Sequence, residues 1–211
     1  MLAGTIDGPG AATPTNHVVT LSGTAALRYL VRRIDAIALP IVTAPPMPTD
    51  TSDVVVKSSR QSIDFATLRN LTLSGSAGAV SVPAGTYGTF TAKGSTSFVF
   101  GVAGATEPAI YNLQSLTLNG GASLQVIGPV VLTLANGAVI TGTAGDAEHP
   151  EWLVLNVAAG GVTLNTGAVL NALINVPSGT VSLGDGATLR GRVASDRLTL
   201  NATSVIDGQA P

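Results

Sequence analysis

A seven-residue phrase, Leu-x-x-Gly-Ala-x-apolar and its variants, keeps returning along this chain. It reads LSGTAAL at 21–27, LNGGASL at 118–124, LANGAVI at 134–140, LNTGAVL at 164–170, LGDGATL at 183–189 and LNATSVI at 200–206. Its alanines fall at Ala122, Ala138, Ala168, Ala187 and Ala202. Three of the four steps between them are similar. The long one, from Ala138 to Ala168, reads as two, with WLVLNVAAGGV at 152–162 supplying the skipped unit. Such a period is about half that of helical repeats, which run to about 33 residues or more. It fits one turn of a parallel β-solenoid, in which short strands alternate with tight corners of Gly and Asn that tolerate positive φ. Near the C-terminus the alternation places Val181, Leu183, Ala187, Leu189, Val193, Leu198 and Leu200 inward. Ser182, Asp185, Thr188, Arg190 and Arg192 then point outward. A turn of this kind cannot bury its inner face alone, so the turns must stack.

The first third reads differently. GTAALRYLVRRIDAIAL (23–39) spaces Leu27, Leu30, Val31, Ile34 and Ile37 as one helical face, with Arg28, Arg32, Arg33 and Asp35 on the other. Ser22 or Thr24 would cap its start and Pro40 its end. A solenoid needs its open end covered, so Leu27, Leu30, Val31 and Ile34 are assigned to an assembly cap or a side-packing helix. The rival reading is a strand pair, because LSGTAAL also fits the repeat. PIVTAPPMPTDTSD (40–53) reads as an extended crossing segment. The expected fold is all-β: a parallel β-helix, or β-solenoid, with a short N-terminal helix. Residues 1–52 form an arm and 53–211 the solenoid, within one domain.

Composition narrows the function. Charged residues are 10% of the chain, against roughly 25% in an ordinary soluble domain. The net charge of −2 gives no electrostatic case for nucleic acid. There is no cysteine, hence no disulfide and no thiolate chemistry. No apolar run is long enough for a transmembrane helix, so membrane insertion is not expected. MLAGTIDGPG lacks the pattern of a signal peptide. Of a cytosolic protein and a mature exported domain with an added Met1, the low charge and Thr/Gly/Ala richness favour the second.

Three ordered stretches carry a family resemblance. Gly85-Thr86-Tyr87-Gly88, Val126-Ile127-Gly128-Pro129-Val130 and Ile174-Asn175-Val176-Pro177 resemble the landmarks of an uncharacterised β-solenoid domain of bacterial pilus-associated and exported surface proteins. The resemblance covers roughly residues 80–206, with Asn-Val-Pro where that domain usually has Tyr-Ala-Pro. The last turns, GATLRGRVASDRLTLNATSVIDG, are similar to bactofilins, cytoskeletal β-helices that polymerise without nucleotide. The helix-like insert and the Pro-rich segment depart from that family. Either resemblance implies a scaffold rather than a catalyst. It also implies a partner that is another copy or another surface or pilus protein. The location implied is extracellular or cell-surface, or cytoplasmic if the chain is bactofilin-like.

No residue set forces a chemistry. His17 and His149 read as surface histidines. Asp146, Glu148 and Glu151, with His149 between them, form the acidic cluster of GDAEHPE (145–151). Alternate oxygen ligands can hold Ca²⁺, but the spacing fits no known calcium loop, so a solvated loop and no cofactor are expected. Asp185, Asp196 and Asp207 are evenly spaced and would stand at related corners, yet Asp is also a common turn residue. Arg28, Arg32, Arg33, Lys57, Arg60 and Arg69 make the first third positive. TFT (89–91) and TGT (141–143) suggest the threonine arrays of ice-binding solenoids but read as scattered. Trp152 and Tyr111 could stack on a sugar, and inward packing is the plainer reading of Trp152.

The function expected is therefore a non-enzymatic structural or adhesive module, self-assembling and exported. The alternative is a carbohydrate-binding module with a glycan partner. A polysaccharide hydrolase or lyase and an ice-binding protein stand behind both.

Overall fold

Alternation of apolar and polar residues, punctuated by Gly and Asn, forms strands that stack in parallel and in register. The computed structural model describes residues 39–208 and, for the backbone, strands β1 (Val19–Leu21) and β2 (Ala26–Leu27). All paired strands are parallel, and they wind into a β-solenoid of about 8 turns. From β4 onward each full turn offers strand to each of three faces, while the first turn contributes β3 to the first face alone. The first face holds β3 (Ser52–Ser58), β4 (Leu68–Ser76), β7 (Thr89–Lys93), β10 (Ser115–Asn119), β13 (Ala138–Ile140) and β16 (Gly161–Leu164). The second holds β5 (Ala79–Ser81), β8 (Ser97–Phe100), β11 (Ser123–Val126), β14 (Thr143–Ala144) and β19 (Val205–Asp207). The third holds β6 (Gly85–Thr86), β9 (Ala109–Leu113), β12 (Val130–Leu134) and β15 (Leu153–Val157). Two long strands, β17 (Val169–Leu183) and β18 (Thr188–Leu200), bend through all three faces.

The core is a set of inward columns. On the first face Leu71, Phe90 and Leu116 stand in register, followed by Ala138, Val162, Val181 and Leu198. On the third, Tyr111, Leu132, Leu155, Ile174 and Val193 do the same. The inward residues expected at the C-terminal end behave as read: Val181, Leu183, Ala187, Leu189 and Leu200 are buried, and Val193 and Leu198 pack partly buried against them. The phenylalanine and tyrosine rings of the early turns stack on one another in the core. Phe100 and Tyr111 stack at 4.1 Å, and Phe90 stacks on Phe98 at 5.1 Å. Burial raises the Tyr111 hydroxyl above its ordinary pKa. That hydroxyl donates to Val82 O at 2.9 Å and accepts from Gly101 N at 3.1 Å, so the burial leaves no orphan.

Corners bring backbone against backbone, and here glycine is required. A β-carbon on Gly142 would collide with the carbonyl oxygen of Ala122, and one on Gly179 with that of Gly160. Turn length varies more than the sequence period implied. Val54, Leu71, Phe90, Leu116, Ala138, Val162, Val181 and Leu198 are successive partners on the first face. The step from Phe90 to Leu116 is the longest of the series, and those from Val54 to Leu71 and from Val181 to Leu198 are the shortest. Loops 101–108 and 145–152 lengthen two of these turns.

The arm departs from expectation at its one described stretch within 23–39. Ala26–Leu27 is strand β2, paired in parallel with Val205 and Ile206, and β1 pairs Val19 with Leu198 and Leu21 with Leu200. The last turn offers a strand edge whose backbone groups need partners, and LSGTAAL carries the strand alternation to meet them. That edge prevails over helical spacing at these residues. Leu30, Val31 and Ile34 of the expected cap lie outside the described residues. Among the described residues the helical element is a single 3-10 turn, Pro150–Trp152. β1 and β2 thus occupy the place of a further turn at the C-terminal pole, although they precede the first turn in sequence. The chain then returns to the other pole and enters β3 at Ser52.

Candidate functional site

Parallel register turns single outward residues into columns, with strands about 4.8 Å apart. On the first face the outward position is Thr72, Thr91, Thr117, Val139, Thr163, Ser182 and Thr199, and β1 continues the register with Thr20. A second hydroxyl column begins beside it, where Ser115 Oγ donates to Thr89 Oγ1 at 3.1 Å. The threonines that read as scattered are thus partly aligned. Thr91 of TFT belongs to this column, while Thr143 of TGT lies on the second face. Unequal turn lengths hide the alignment in the sequence.

Two members of the column, Thr163 and Ser182, also line a groove. Around the corner between the third and first faces, Gly160, Gly161 and Gly179 form a floor without side chains, and Thr163, Ser178, Thr180 and Ser182 rim it. Asp196 and Arg197 stand at one side, their charged groups 3.7 Å apart. The space is open and shallow, about 470 Å³. Its walls offer hydroxyl donors and acceptors, one carboxylate and one guanidinium. This set can hydrogen-bond a polyhydroxylated ligand. It lacks the pair of facing carboxylates that glycosidic cleavage uses.

The three aspartates expected at related corners separate. Their spacing falls well short of even the shortest turns, such as that from Val181 to Leu198, so each lands on a different part of the circuit. Asp185 lies at the corner between the first and second faces, where Thr203 Oγ1 donates to it at 2.6 Å and Thr203 N at 3.2 Å. These two bonds hold its carboxyl below the usual aspartate range. Asp196 is at the groove, and Asp207 is in register with Arg190 on the second face.

The acidic loop is organised around its own turn. Asp146 Oδ1 accepts from Glu148 N at 2.8 Å and from His149 N at 2.9 Å. His149 Nδ1 and Glu151 Oε1 are 2.9 Å apart. The Glu151 backbone N–H, and then His149, hold the Glu151 carboxyl below its ordinary value. Among the described residues no three His, Asp or Glu side chains are grouped to hold a metal ion. Trp152 packs partly buried against the core and stacks on His149 at 4.1 Å. Tyr111 is buried, so it offers no platform to a sugar. Of the basic residues, Arg69 is committed to Asp53 through a two-pronged contact at 2.9 and 2.7 Å, which lowers the Asp53 pKa.

Comparison of the chain with protein-family models, with curated proteins and with solved structures gives no match.

Proposed function

We propose that the protein is a non-enzymatic structural or adhesive β-solenoid module of a bacterial surface or filament protein, acting through its shape and through assembly with its own copies. The observation that carries this reading is the uninterrupted parallel ladder. Among the described residues, β3 pairs on one side with β4 and on its outer side with no strand. The other pole ends in β1 and β2, which add one partial turn. Unpaired strand edges are templates for further pairing. The resemblance read from the sequence over roughly residues 80–206 to an exported solenoid domain is what favours placement outside the cell. The resemblance of the last turns to bactofilins, read from the sequence, is what favours rod-like stacking.

Negative-stain imaging of the purified protein across a concentration series tests the proposal. Filaments or stacked rods with a regular axial repeat are expected. Discrete short rods at every concentration would overturn the self-assembling form. The hydroxyl-lined groove favours a second reading, a carbohydrate-binding module of a larger exported protein. Glycan binding by a strict monomer, lost in Asp196→Ala, would establish it.

A further inference from the structure

We infer that strands β1 and β2 are exchangeable between copies, so that the arm of one molecule completes the last turn of a second copy of this chain. The inference rests on the self-assembling reading and names the contact that would make it. In the folded chain the arm closes its own C-terminal pole through Val19–Leu21 against Leu198–Leu200 and Ala26–Leu27 against Val205–Ile206. By sequence, however, the arm belongs next to the opposite pole, since the chain enters β3 at Ser52, 25 positions beyond Leu27.

Eight turns at about 4.8 Å separate the poles by roughly 38 Å. A linker of this length reaches about 80 Å when extended, so the route along the molecule's own rod is open. In a head-to-tail column the last turn of the neighbouring copy lies about two strand spacings, roughly 10 Å, from β3. The same linker covers that distance with slack. The exchanged strand would pair on one side with the neighbour's β18, as it now does with its own. On the other side it would meet the unpaired edge of its own β3, which lies on the same face and runs in the same direction. The ladder of the first face would then pass unbroken from copy to copy. Exchange of an identical element costs no native pairing, so concentration decides between the closed and linked forms.

Among the described residues, five register pairs attach β1 and β2 to the last turn, against twelve between β17 and β18. The returning segment is tied to the rod by Gln114 Nε2, which donates to Pro46 O at 3.0 Å. Its Ile41 and Met47 are 92% and 71% exposed.

Because the chain has no cysteine, the register partners Thr20 and Thr199 can be replaced cleanly. Strand neighbours at about 4.8 Å fall within the range of Cα separations that a disulfide spans. Two single variants, Thr20→Cys and Thr199→Cys, are mixed at the concentration where the unmodified protein assembles, then oxidised. The expected product is a mixed disulfide between the two, identified by peptide mapping. The double variant is oxidised at high dilution to lock the arm onto its own chain. Its assembled fraction is expected to fall at least tenfold and to return on reduction. A locked double variant that assembles like its reduced form would overturn arm exchange while leaving self-assembly in place. Failure of the unmodified protein to assemble at any concentration, with no mixed disulfide, would overturn both. Thr20→Pro guards against a misfolded cysteine variant, since proline disfavours strand pairing and the change lies in the arm alone. Assembly unchanged in Thr20→Pro would also overturn the exchange.

Discussion

Replacing Ser204 with alanine should make the protein more stable. The corner between the first and second faces carries an inward stack of small residues. Val169, Thr188 and Val205 are register partners, so Ala168, Ala187 and Ser204 immediately before them stand in line. All three are 0% exposed. The first two bury only a methyl group, whereas the Ser204 hydroxyl has no hydrogen-bond partner among the described residues. A buried hydroxyl without a partner forfeits its hydration, at a cost of about 1–3 kcal/mol. Alanine keeps the β-carbon that already fits and removes the oxygen. The expected gain is about 1 kcal/mol, the lower end of that range, because the site lies in the last full turn and relaxes more easily than the centre. In a domain of this size that corresponds to roughly 2–4 °C in Tm. Urea unfolding followed by circular dichroism should show a higher midpoint at an unchanged m-value. Solenoids lose their end turns first, so hydrogen exchange at the Val205 amide, which donates to Ala187 O at 2.9 Å, reads the same change locally and should slow. The reciprocal Ala187→Ser should cost a similar amount. A Ser204→Ala protein that unfolds more readily, or exchanges Val205 faster, would refute the reasoning, because the hydroxyl would then have to be satisfied.

Two further outcomes are expected. Gly142→Ala forces a β-carbon against Ala122 O and must part the ladder where Thr141 N donates to Leu118 O and Val169 N to Gly142 O; a loss of about 2–4 kcal/mol, measured by denaturant unfolding, would be matched by no such loss at the open Gly94 when it is replaced by Asn. Asp185 has a folded pKa depressed by its bonds from Thr203, so its contribution is fully present above the unfolded value and disappears as pH falls through the folded one. Stability should therefore decline with acid below the ordinary aspartate value of 3.8, and Asp185→Asn should flatten that decline in a pH series of melting curves.

The alternation from Val181 to Leu200 is readable because side-chain direction has a period of two whatever the turn length. The repeat phrase is harder to place. LNGGASL rounds the corner from the first face to the second, while LANGAVI rounds the corner from the third face to the first. Both corners need the same local chemistry, an apolar strand end followed by small residues, so the phrase marks corners without saying which. Ala138 consequently lies in register with Leu116, and Gly142 takes the place next to Ala122. The threonine column and the groove are illegible for the same cause. One turn runs from Phe90 to Leu116 and another only from Val181 to Leu198, which erases any fixed spacing between neighbours on a face. The arm misleads for a different reason: its partner is set by a tertiary edge, and helical spacing at 23–39 says nothing of an edge at Leu198–Ile206.

That edge also sets an order of events in time. Val19 and Leu198 are 179 positions apart, and a ribosome adds about 5–20 residues each second. The arm is therefore made first and waits roughly ten to thirty-five seconds for the strand that will receive it, while every other turn can close on the one just finished. During synthesis on a polysome, the finished last turns of chains ahead are within reach of newer arms whose own partners do not yet exist. A newborn chain meets its neighbours before it can meet its own end.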